Sequence, residues 1–394
     1  MSRARRIEVE NRVATDPLQT YRMFTNSSLM REWLADQALS SPVEDGPLYL
    51  SWSDGYQTVG KFTRLLPGEE VRFTWNGTSD PTPTKVKVSL VAEEGGTLVR
   101  VRQSGFKDNK AGRHSRAGLS RAWEASLENL ASVTSNGADL RITRRPMLGI
   151  FPGQEVTFDQ AEEIGVDHGV KLDGVVDGMG AQAAGLQPGD VVVSLGGAPV
   201  RNFAGLVAAV SPHRAGDEVE VEFYREGQKQ TAQMRLSGRP IPDLPGNPTE
   251  LAAMIGDVYR RFQERLTKTL EGVSEEEASY KRDGAWSIKE NLAHLIADEV
   301  DTSARLVEEV EAAERLYDTG FGNSDLRMRV VAASYPDTWA MVDSYRRAMA
   351  ETVGLLGGLP ADVRRSTFWR IAFELSLRED HLNEHLEAIQ ALRN

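Results

Sequence analysis

Cysteine is absent from the 394 residues of the chain. The protein therefore forms no disulfide bonds, offers no thiolate to a metal ion and has no cysteine nucleophile of its own. Chemistry that needs a thiol would have to take it from a cosubstrate. Otherwise the composition is that of a folded protein, with 40% hydrophobic and 26% charged residues.

Long hydrophobic segments are missing as well. No apolar run approaches the roughly 18 residues that a membrane span requires. Three of the first six residues are arginines, as at the basic start of a signal peptide, but the charged residues Glu8 and Glu10 follow them instead of an apolar stretch. We therefore expect a cytoplasmic protein with no membrane partner.

Positive charge is scarce relative to negative charge. The chain has 46 lysines and arginines against 58 aspartates and glutamates, which gives a net charge of -12. This is the wrong sign for a protein that binds nucleic acid over a broad surface. The sequence therefore predicts no nucleic-acid partner.

Proline-rich and glycine-rich stretches divide the chain, whose length suggests two to three domains. Four prolines between Pro240 and Pro248 predict a stiff linker. A second boundary lies at Arg144-Arg145-Pro146, where a helical pattern ends. The predicted fold class is multidomain: an α+β helix-grip domain over 1–143, a mainly-β domain over 144–238, a linker over 239–249 and an all-α four-helix bundle over 250–394.

The first domain combines alternating apolar residues with a helical stripe. Val86, Val88 and Leu90 alternate with polar residues, as in strands with one buried face, and Trp123 and Leu127 recur at helical spacing. Glu94-Gly95-Gly96 indicates a hairpin turn between two of the strands. Asp16-Pro17 indicates the capped start of a short helix. A sheet covered by a long C-terminal helix is the expected plan.

Two motifs connect this plan to a known family. Arg31-Glu32-Trp33-Leu34 follows the first helix, and residues 123–130 read Trp-Glu-Ala-Ser-Leu-Glu-Asn-Leu. With the order of strands and helices, they resemble the START-like (SRPBCC) superfamily, and within it the bacterial family similar to the activator of the ninety-kilodalton heat-shock ATPase. The resemblance covers about residues 5–140. It implies that the sheet and helix enclose an apolar cavity for a hydrophobic small molecule.

Four tryptophans are the candidate lining of that cavity. They are Trp33, Trp52, Trp75 and Trp123. The alternative is that these rings fill a solid core, which is the commoner fate of buried aromatic residues. The sequence leaves both arrangements open.

Glycine-containing turns characterise the second domain. Ala184-Gly185-Leu186, Pro188-Gly189-Asp190 and Gly216-Asp217 occur between apolar runs, and Arg225-Glu226-Gly227 is typical of a hairpin turn. Together they resemble a PDZ domain of the bacterial HtrA type over about residues 145–238. PDZ domains bind an extended peptide at a sheet edge, and a loop of main-chain N–H groups takes the peptide's terminal carboxylate.

The positions that match the family's peptide groove are one loop and one helix. The loop is Leu148-Gly149-Ile150, in which a glycine lets N–H groups turn toward an anion. Asn202 is expected to cap the helix. The apolar wall on that helix consists of Phe203, Leu206, Val207 and Val210. The resemblance thus implies a peptide or protein C-terminus as partner, and a groove filled by the protein's own chain is the alternative.

Helical periodicity dominates after the linker, and we predict four helices. The first is expected to begin with a cap at Thr249 and the second with a capping box at Ser287–Glu290. The third has Pro336 in its first turn, and the fourth contains Trp369 and runs to about Leu392. Four such helices form a bundle.

Three of the six histidines lie in this region at the spacing of metal ligands. His381 and His385 are four residues apart, so their imidazoles project from one helix face, and His294 lies near the start of the second helix. Three neutral imidazoles suit a divalent metal ion such as zinc or nickel, with one coordination position open. The alternative is three unrelated histidines on the surface or in the core.

The segments around these histidines resemble the DinB-like (YfiT-like) superfamily of metal-binding four-helix bundles. They are residues 286–295, which end in His294-Leu295, and residues 381–390, which begin with His381-Leu382-Asn383-Glu384-His385. The resemblance covers about residues 250–392 and implies that the three histidines are the metal ligands. His381-x-x-Glu384-His385 also fits the inverted zinc-protease motif, but the large fold of that family is not expected here.

Two functions remain open. Characterised relatives with the DinB-like fold use their metal to activate a low-molecular-weight thiol, so the resemblance implies a metal-dependent thiol transferase that takes its thiol from solution. The alternative is a non-enzymatic adaptor, or a scaffold linked to stress response and chaperones, in which the metal is structural. The sequence does not single out catalytic residues.

Overall fold

The computed structural model describes residues 6–53, 55–78, 80–155, 166, 168–282, 285–311 and 325–393. The chain divides into two compact units. The first unit contains Met1–Asp139 together with Pro242–Asn394, and the second, Leu140–Ile241, is inserted between these two parts. None of the described helices is both long enough and apolar enough to cross a membrane.

A seven-stranded antiparallel sheet forms the N-terminal part of the first unit. The strands are β1 Arg6–Val13, β2 Gln37–Ser40, β3 Pro47–Ser51, β4 Gln57–Leu66, β5 Glu70–Gly77, β6 Thr84–Glu93 and β7 Gly96–Ser104. Their order across the sheet is β1-β7-β6-β5-β4-β3-β2. The helices are α1 Pro17–Met23, α2 Ser27–Arg31 and α3 Lys110–Ser135. This β-rich domain has the order of elements expected from the sequence.

Local sequence explains how these elements begin, turn and pack. The Asp16 side chain accepts hydrogen bonds from the N–H groups of Leu18 and Gln19 and so caps α1. β6 and β7 pair from Glu93 and Gly96 onward, so Glu94 and Gly95 form the predicted turn. The alternating apolar residues of β5 to β7 and the stripe of α3 are buried in one core.

The second unit is built around a six-stranded sheet. Its strands are β9 Ile150–Glu155, β10 Val170–Val175, β11 Val191–Leu195, β12 Ala198–Pro199, β13 Glu218–Arg225 and β14 Gln228–Arg235, in the order β14-β13-β11-β10-β9 with β12 beside β11. The short strands β8 Pro146–Met147 and β15 Ser237–Gly238 pair separately. The helices are α4 Leu140–Thr143, α5 Gly180–Ala183 and α6 Phe203–Val210.

The C-terminal part of the first unit is helical. Its described helices are α7 Pro248–Leu270, α8 Glu275–Ser279, α9 Ile288–Glu311, α10 Asp325–Ala333, α11 Thr338–Gly357, α12 Arg365–Ser376 and α13 Arg378–Arg393. α9 packs against α11 and α13, and α7 packs against the same two helices. Apolar stripes on the long helices share one core.

Three predictions about these helices were wrong. Asn247, not Thr249, caps α7, because its side chain reaches the N–H of Glu250 while Pro248 occupies the favoured first position. Pro336 lies outside α11, which is capped by Asp337. The last predicted helix is two helices, α12 and α13, which are separated at Leu377. The capping box at Ser287 and Glu290 is confirmed at the start of α9.

A buried carboxylate connects the two parts of the first unit. Glu32, which follows α2, is 6% exposed. Its two carboxylate oxygens accept hydrogen bonds from Ser366 Oγ at 2.5 Å and Thr367 Oγ1 at 2.7 Å, both on α12. A second contact joins Arg370 on α12 to Asp139 at 3.2 Å. Helix α12 is therefore held against the β-rich domain by polar contacts that the sequence analysis did not predict.

Candidate metal centre and peptide-binding groove

Three histidine side chains converge between two packed helices of the first unit. His294 lies on α9, and His381 and His385 lie one turn apart on α13, which packs against α9. One ring nitrogen of each histidine lies within 4.8 Å of the other two. The Nε2 atoms of His294 and His381 are 3.3 Å apart. The fold thus brings together the three residues selected from the sequence.

The spacing of one pair of these nitrogens fits a metal ion. Zn–N bonds of about 2.0–2.1 Å in a tetrahedral site place two ligand nitrogens roughly 3.4 Å apart. The 3.3 Å between the Nε2 atoms of His294 and His381 is close to that value. Imidazole is a good ligand for both zinc and nickel, so the donor set suits either ion.

Asn291 fixes the orientation of His385. The Nδ2 group of Asn291 donates to the carbonyl oxygens of Trp286 and Ser287, which leaves its Oδ1 as the acceptor for His385 Nδ1 at 2.9 Å. His385 therefore carries its proton on Nδ1 and has its lone pair on Nε2. A second hydrogen bond of this kind commonly orients metal-ligating histidines.

His385 is also held in its neutral form. Burial lowers the pKa of its imidazole to about 4, with smaller contributions from His294 and His381 beside it. The Trp286 ring lies parallel to it at 6.4 Å and is 5.3 Å from the ring of His294. At neutral pH the nitrogen that faces the other histidines is thus free of a proton, as metal binding requires.

An acidic residue and an arginine lie on the other side of the histidines. Asp298 Oδ2 is 3.9 Å from Nδ1 of His381 and forms an ion pair with Arg378. Burial acts to raise the pKa of the Asp298 carboxyl, but the Arg378 guanidinium outweighs it and holds the pKa below its ordinary value. Asp298 is therefore an anion at neutral pH.

Glu384, which would be the general base in the alternative protease motif, takes no part in this cluster. It lies on α13 between the two histidines but is exposed to solvent. The group of ring nitrogens within 4.8 Å of one another contains the three histidines alone among the residues that the structure describes. The arrangement gives the protease motif no support.

In the second unit, the predicted carboxylate loop leads into an edge strand. Gly149 has a φ of +75°, and a Cβ atom there would lie 2.2 Å from Cβ of Met179, so only glycine fits. The carbonyl oxygens of Leu148 and Gly149 accept hydrogen bonds from the N–H groups of Ala181 and Val176. Within the described residues, the N–H groups of Leu148 and Gly149 donate to no protein acceptor.

β9 and α6 carry the remaining residues of the predicted groove. β9 begins at Ile150 and lies at the edge of the sheet, where it pairs with β10 among the described strands. Asn202 caps α6 as predicted. Phe203 and Val207 are about half exposed, and Val210 is partly buried. Leu206 is a correction: it is 2% exposed and packs in the core of the unit, so its side chain does not face a groove.

The four tryptophans proposed for a cavity lie in or against the core of the β-rich domain. Trp33, Trp75 and Trp123 are nearly fully buried, and Trp52 packs on them from a partly buried position. The Trp75 ring is 6.0 Å from that of Trp52 and 5.7 Å from that of Trp123. Their N–H groups donate hydrogen bonds to Met23, Leu34, Tyr56 and Gln103. A ligand cavity bordered by these rings stays a prediction.

Comparison with known proteins identifies two of the domains. Residues 146–236 match the PDZ domain family, as the sheet edge and the glycine loop lead one to expect. The second unit contains a PDZ domain. Residues 14–135 match the family described as "Activator of Hsp90 ATPase homolog 1-like protein". The β-rich domain is thus an Hsp90-activator-like domain of the superfamily that the sequence motifs indicated.

Curated relatives resemble this chain over part of their length. The serine protease Do-like HtrA of Lactococcus lactis is 31% identical over 36% of this chain and 36% of its own length. The periplasmic serine endoprotease DegP of Salmonella typhimurium is 32% identical over 27% of this chain and 22% of its own length. The chain therefore spans about a third or less of the length of these relatives.

Among solved structures, protein MLL2253 from Mesorhizobium loti is similar to part of the chain. It is 25% identical and covers 33% of this chain and 96% of its own, with a TM-score of 0.31. The solution structure of the Aha1 dimer from Colwellia psychrerythraea is 18% identical, covers 33% of this chain and 95% of its own, and has a TM-score of 0.29.

Several residues of the candidate metal centre were missed, although helical spacing indicates them. Asn291 precedes His294 by three residues and Asp298 follows it by four, so all three lie on one face of α9. Arg378 precedes His381 by three residues on α13. In the PDZ domain, by contrast, the sequence alone did not indicate that Leu206 is buried while its neighbour Val207 is exposed.

Proposed function

We propose that the helical region of the first unit binds one divalent metal ion, zinc or nickel, through His294, His381 and His385. The observation that supports this most directly is the convergence of three ring nitrogens within 4.8 Å. The hydrogen bond from His385 to Asn291 adds to it, because it presents the unprotonated Nε2. Three protein ligands leave a position for a further ligand, as in catalytic zinc sites.

Metal analysis of the purified full-length protein tests this proposal. We expect one equivalent of zinc or nickel per chain, removed by a strong chelator and restored on titration. A protein that is isolated without metal and takes up none would contradict the proposal.

We further propose that the bound metal activates an external thiol, as in characterised members of the DinB-like superfamily that residues 250–392 resemble. The chain has no cysteine, so the sulfur must come from a low-molecular-weight thiol. Coordination deprotonates a thiol at neutral pH. Transfer to an aryl chloride would form a C–S bond and break the C–Cl bond; chloride leaves with the electron pair, and the thiol proton goes to solvent.

An assay of thiol consumption distinguishes the proposed thiol transferase from the non-enzymatic adaptor. With glutathione and 1-chloro-2,4-dinitrobenzene as probes, we expect turnover by metal-loaded protein above the rate without protein, and none by the chelated form. Full metal loading without turnover of several thiols and electrophiles would favour a metal that only stabilises the helices.

We propose that the PDZ domain binds the free C-terminus of a peptide or protein. Gly149 at φ +75° and the N–H groups of Leu148 and Gly149 support a carboxylate-binding loop. The adjacent edge strand β9 supports pairing with an extended peptide. The exposed Phe203 and Val207 on α6 are the apolar groups available to its side chains.

Amidation of the peptide tests the carboxylate claim. We expect the best binder from a library of peptides with free C-termini to lose at least about tenfold in affinity as its amide, because amidation removes the anion that the N–H groups recognise. Fluorescence anisotropy with full-length protein measures both constants. Equal affinity of the two forms would contradict the assignment, and a structure with an internal segment in the groove would favour the self-filled alternative.

A further inference from the structure

We infer that Asp298 is a positioning residue of the metal centre: held by Arg378, its carboxylate accepts the Nδ1 proton of His381 and so directs Nε2 of that histidine toward the metal ion. The inference rests on the metal binding proposed above and assigns a role to a residue outside the three ligands. It is carried by the geometry of two facing helices.

Helices α9 and α13 each carry a histidine of the cluster and neighbouring polar residues on one face. On α9, His294, Asp298 and Thr302 follow one another at intervals of four residues, which places them along one side of the helix. On α13, Arg378 and His381 are three residues apart. Because α9 and α13 pack together, these faces supply both the histidines and the polar groups behind them.

The orientation of His381 depends on which of its nitrogens faces which group. Its Nε2 is 3.3 Å from Nε2 of His294, whereas its Nδ1 is 3.9 Å from Oδ2 of Asp298. The second distance is longer than a hydrogen bond, so the inferred contact requires His381 and Asp298 to move closer together when the metal ion binds. Ligation through Nε2 requires the proton on Nδ1, and a carboxylate is the strongest acceptor for it. For His385, Asn291 already provides this second hydrogen bond.

Arg378 fixes the carboxylate in place. It is 8% exposed, pairs with Asp298 through Nη1 and donates to Thr302 Oγ1 from Nη2 at 2.8 Å. Both groups that it contacts belong to α9. Asp298 is thereby held on the side of His381 that faces away from His294.

A second acidic residue, which is fully buried, also lies close to Arg378. Glu299 is 0% exposed, and its Oε2 lies 4.0 Å from Nη1 of Arg378. Its Oε1 accepts hydrogen bonds from Tyr259 at 2.7 Å and Thr352 at 2.5 Å.

The cost of burying these polar groups behind the histidines indicates that they have a role in the metal centre. Buried charges are costly to desolvate, and apolar residues of similar volume would often be as stabilising or more so. The same helices bury apolar residues elsewhere in their shared core. Asp298 is the charged group of this set that lies beside a histidine of the cluster, as expected of a residue that orients a metal ligand.

The test compares two variants that each remove one carboxylate from α9. Asp298→Ala removes both the charge and the acceptor oxygens, whereas asparagine would keep an acceptor oxygen like that of Asn291 beside His385. Asp301→Ala is the matched control, since Asp301 lies one turn further on and pairs with Arg327. We expect the zinc dissociation constant of full-length protein, measured against a chelating dye, to rise about 10- to 100-fold for Asp298→Ala and to change by less than about threefold for Asp301→Ala.

A measurement on wild-type protein covers the case in which Asp298→Ala fails to fold. In zinc-loaded protein labelled with ¹⁵N-histidine, we expect His381 to carry its proton on Nδ1 and to bind through Nε2. Binding through Nδ1 overturns the inference, and so does an Asp298→Ala variant that folds and binds zinc as tightly as wild type. Wild-type protein that binds no zinc refutes the proposed metal site itself, which is a separate outcome.

Discussion

We expect His381→Ala to weaken zinc binding by full-length protein at least about 100-fold, which corresponds to about 3 kcal/mol. The substitution removes one of three converging ring nitrogens, and the two that remain, on His294 and His385, rarely suffice to hold zinc firmly. Titration with zinc against a chelating dye, with calorimetry as a second method, gives the two constants.

His114→Ala is the matched control for this experiment. His114 lies exposed near the start of α3 and outside the histidine cluster, so its replacement should leave zinc affinity unchanged. Circular dichroism of the metal-free proteins checks that both variants fold. Undiminished zinc binding by a folded His381→Ala protein would mean that the metal, if bound, lies elsewhere.

The second large effect concerns stability: Glu32→Ala should lower the free energy of unfolding of the first unit by about 2–4 kcal/mol. Glu32 accepts hydrogen bonds from Ser366 and Thr367, which are 6% and 1% exposed. Removal of the carboxylate leaves two buried hydroxyl groups without that acceptor, and each such loss costs about 1–3 kcal/mol.

Tryptophan fluorescence measures this effect selectively, because all seven tryptophans lie outside residues 140–241. Urea unfolding followed by this signal reports on the first unit without a contribution from the PDZ domain. Glu69→Ala removes an exposed carboxylate of the same domain and should change stability by less than about 0.5 kcal/mol. Equal midpoints for Glu32→Ala and Glu69→Ala would show that the contact to α12 contributes little.

Features that depend on neighbours in sequence were predictable. The caps at Asp16 and Asn202 and the turn at Glu94-Gly95 arise from hydrogen bonds and dihedral preferences within a few residues. The two matched domains were predictable for a similar reason, since their glycines and strand patterns are local. The break at Leu377 was not, because neither glycine nor proline marks it and the apolar periodicity continues across it.

The same distinction applies to the candidate metal centre: features within one helix were predictable, and contacts between helices were not. The spacing of His381 and His385 on one helix face follows from the helical repeat. The contact of Asp298 with His381 depends on how α9 and α13 pack, and residue spacing within one helix does not determine that. The pairing of Glu32 with Ser366 is the extreme case, since 334 residues separate the two partners.

The PDZ domain lies within the stretch of chain that separates Glu32 from Ser366. β8 and β15 pair with each other, so the chain enters and leaves the PDZ domain at adjacent points, the arrangement in which a host protein tolerates an insertion. Because loop-closure entropy grows only with the logarithm of length, the roughly 100 inserted residues add at most about 0.3 kcal/mol to the cost of bringing Glu32 to Ser366. This is small beside the hydrogen bonds formed there, so the first unit can form its long-range contacts with the PDZ domain in place at little entropic cost.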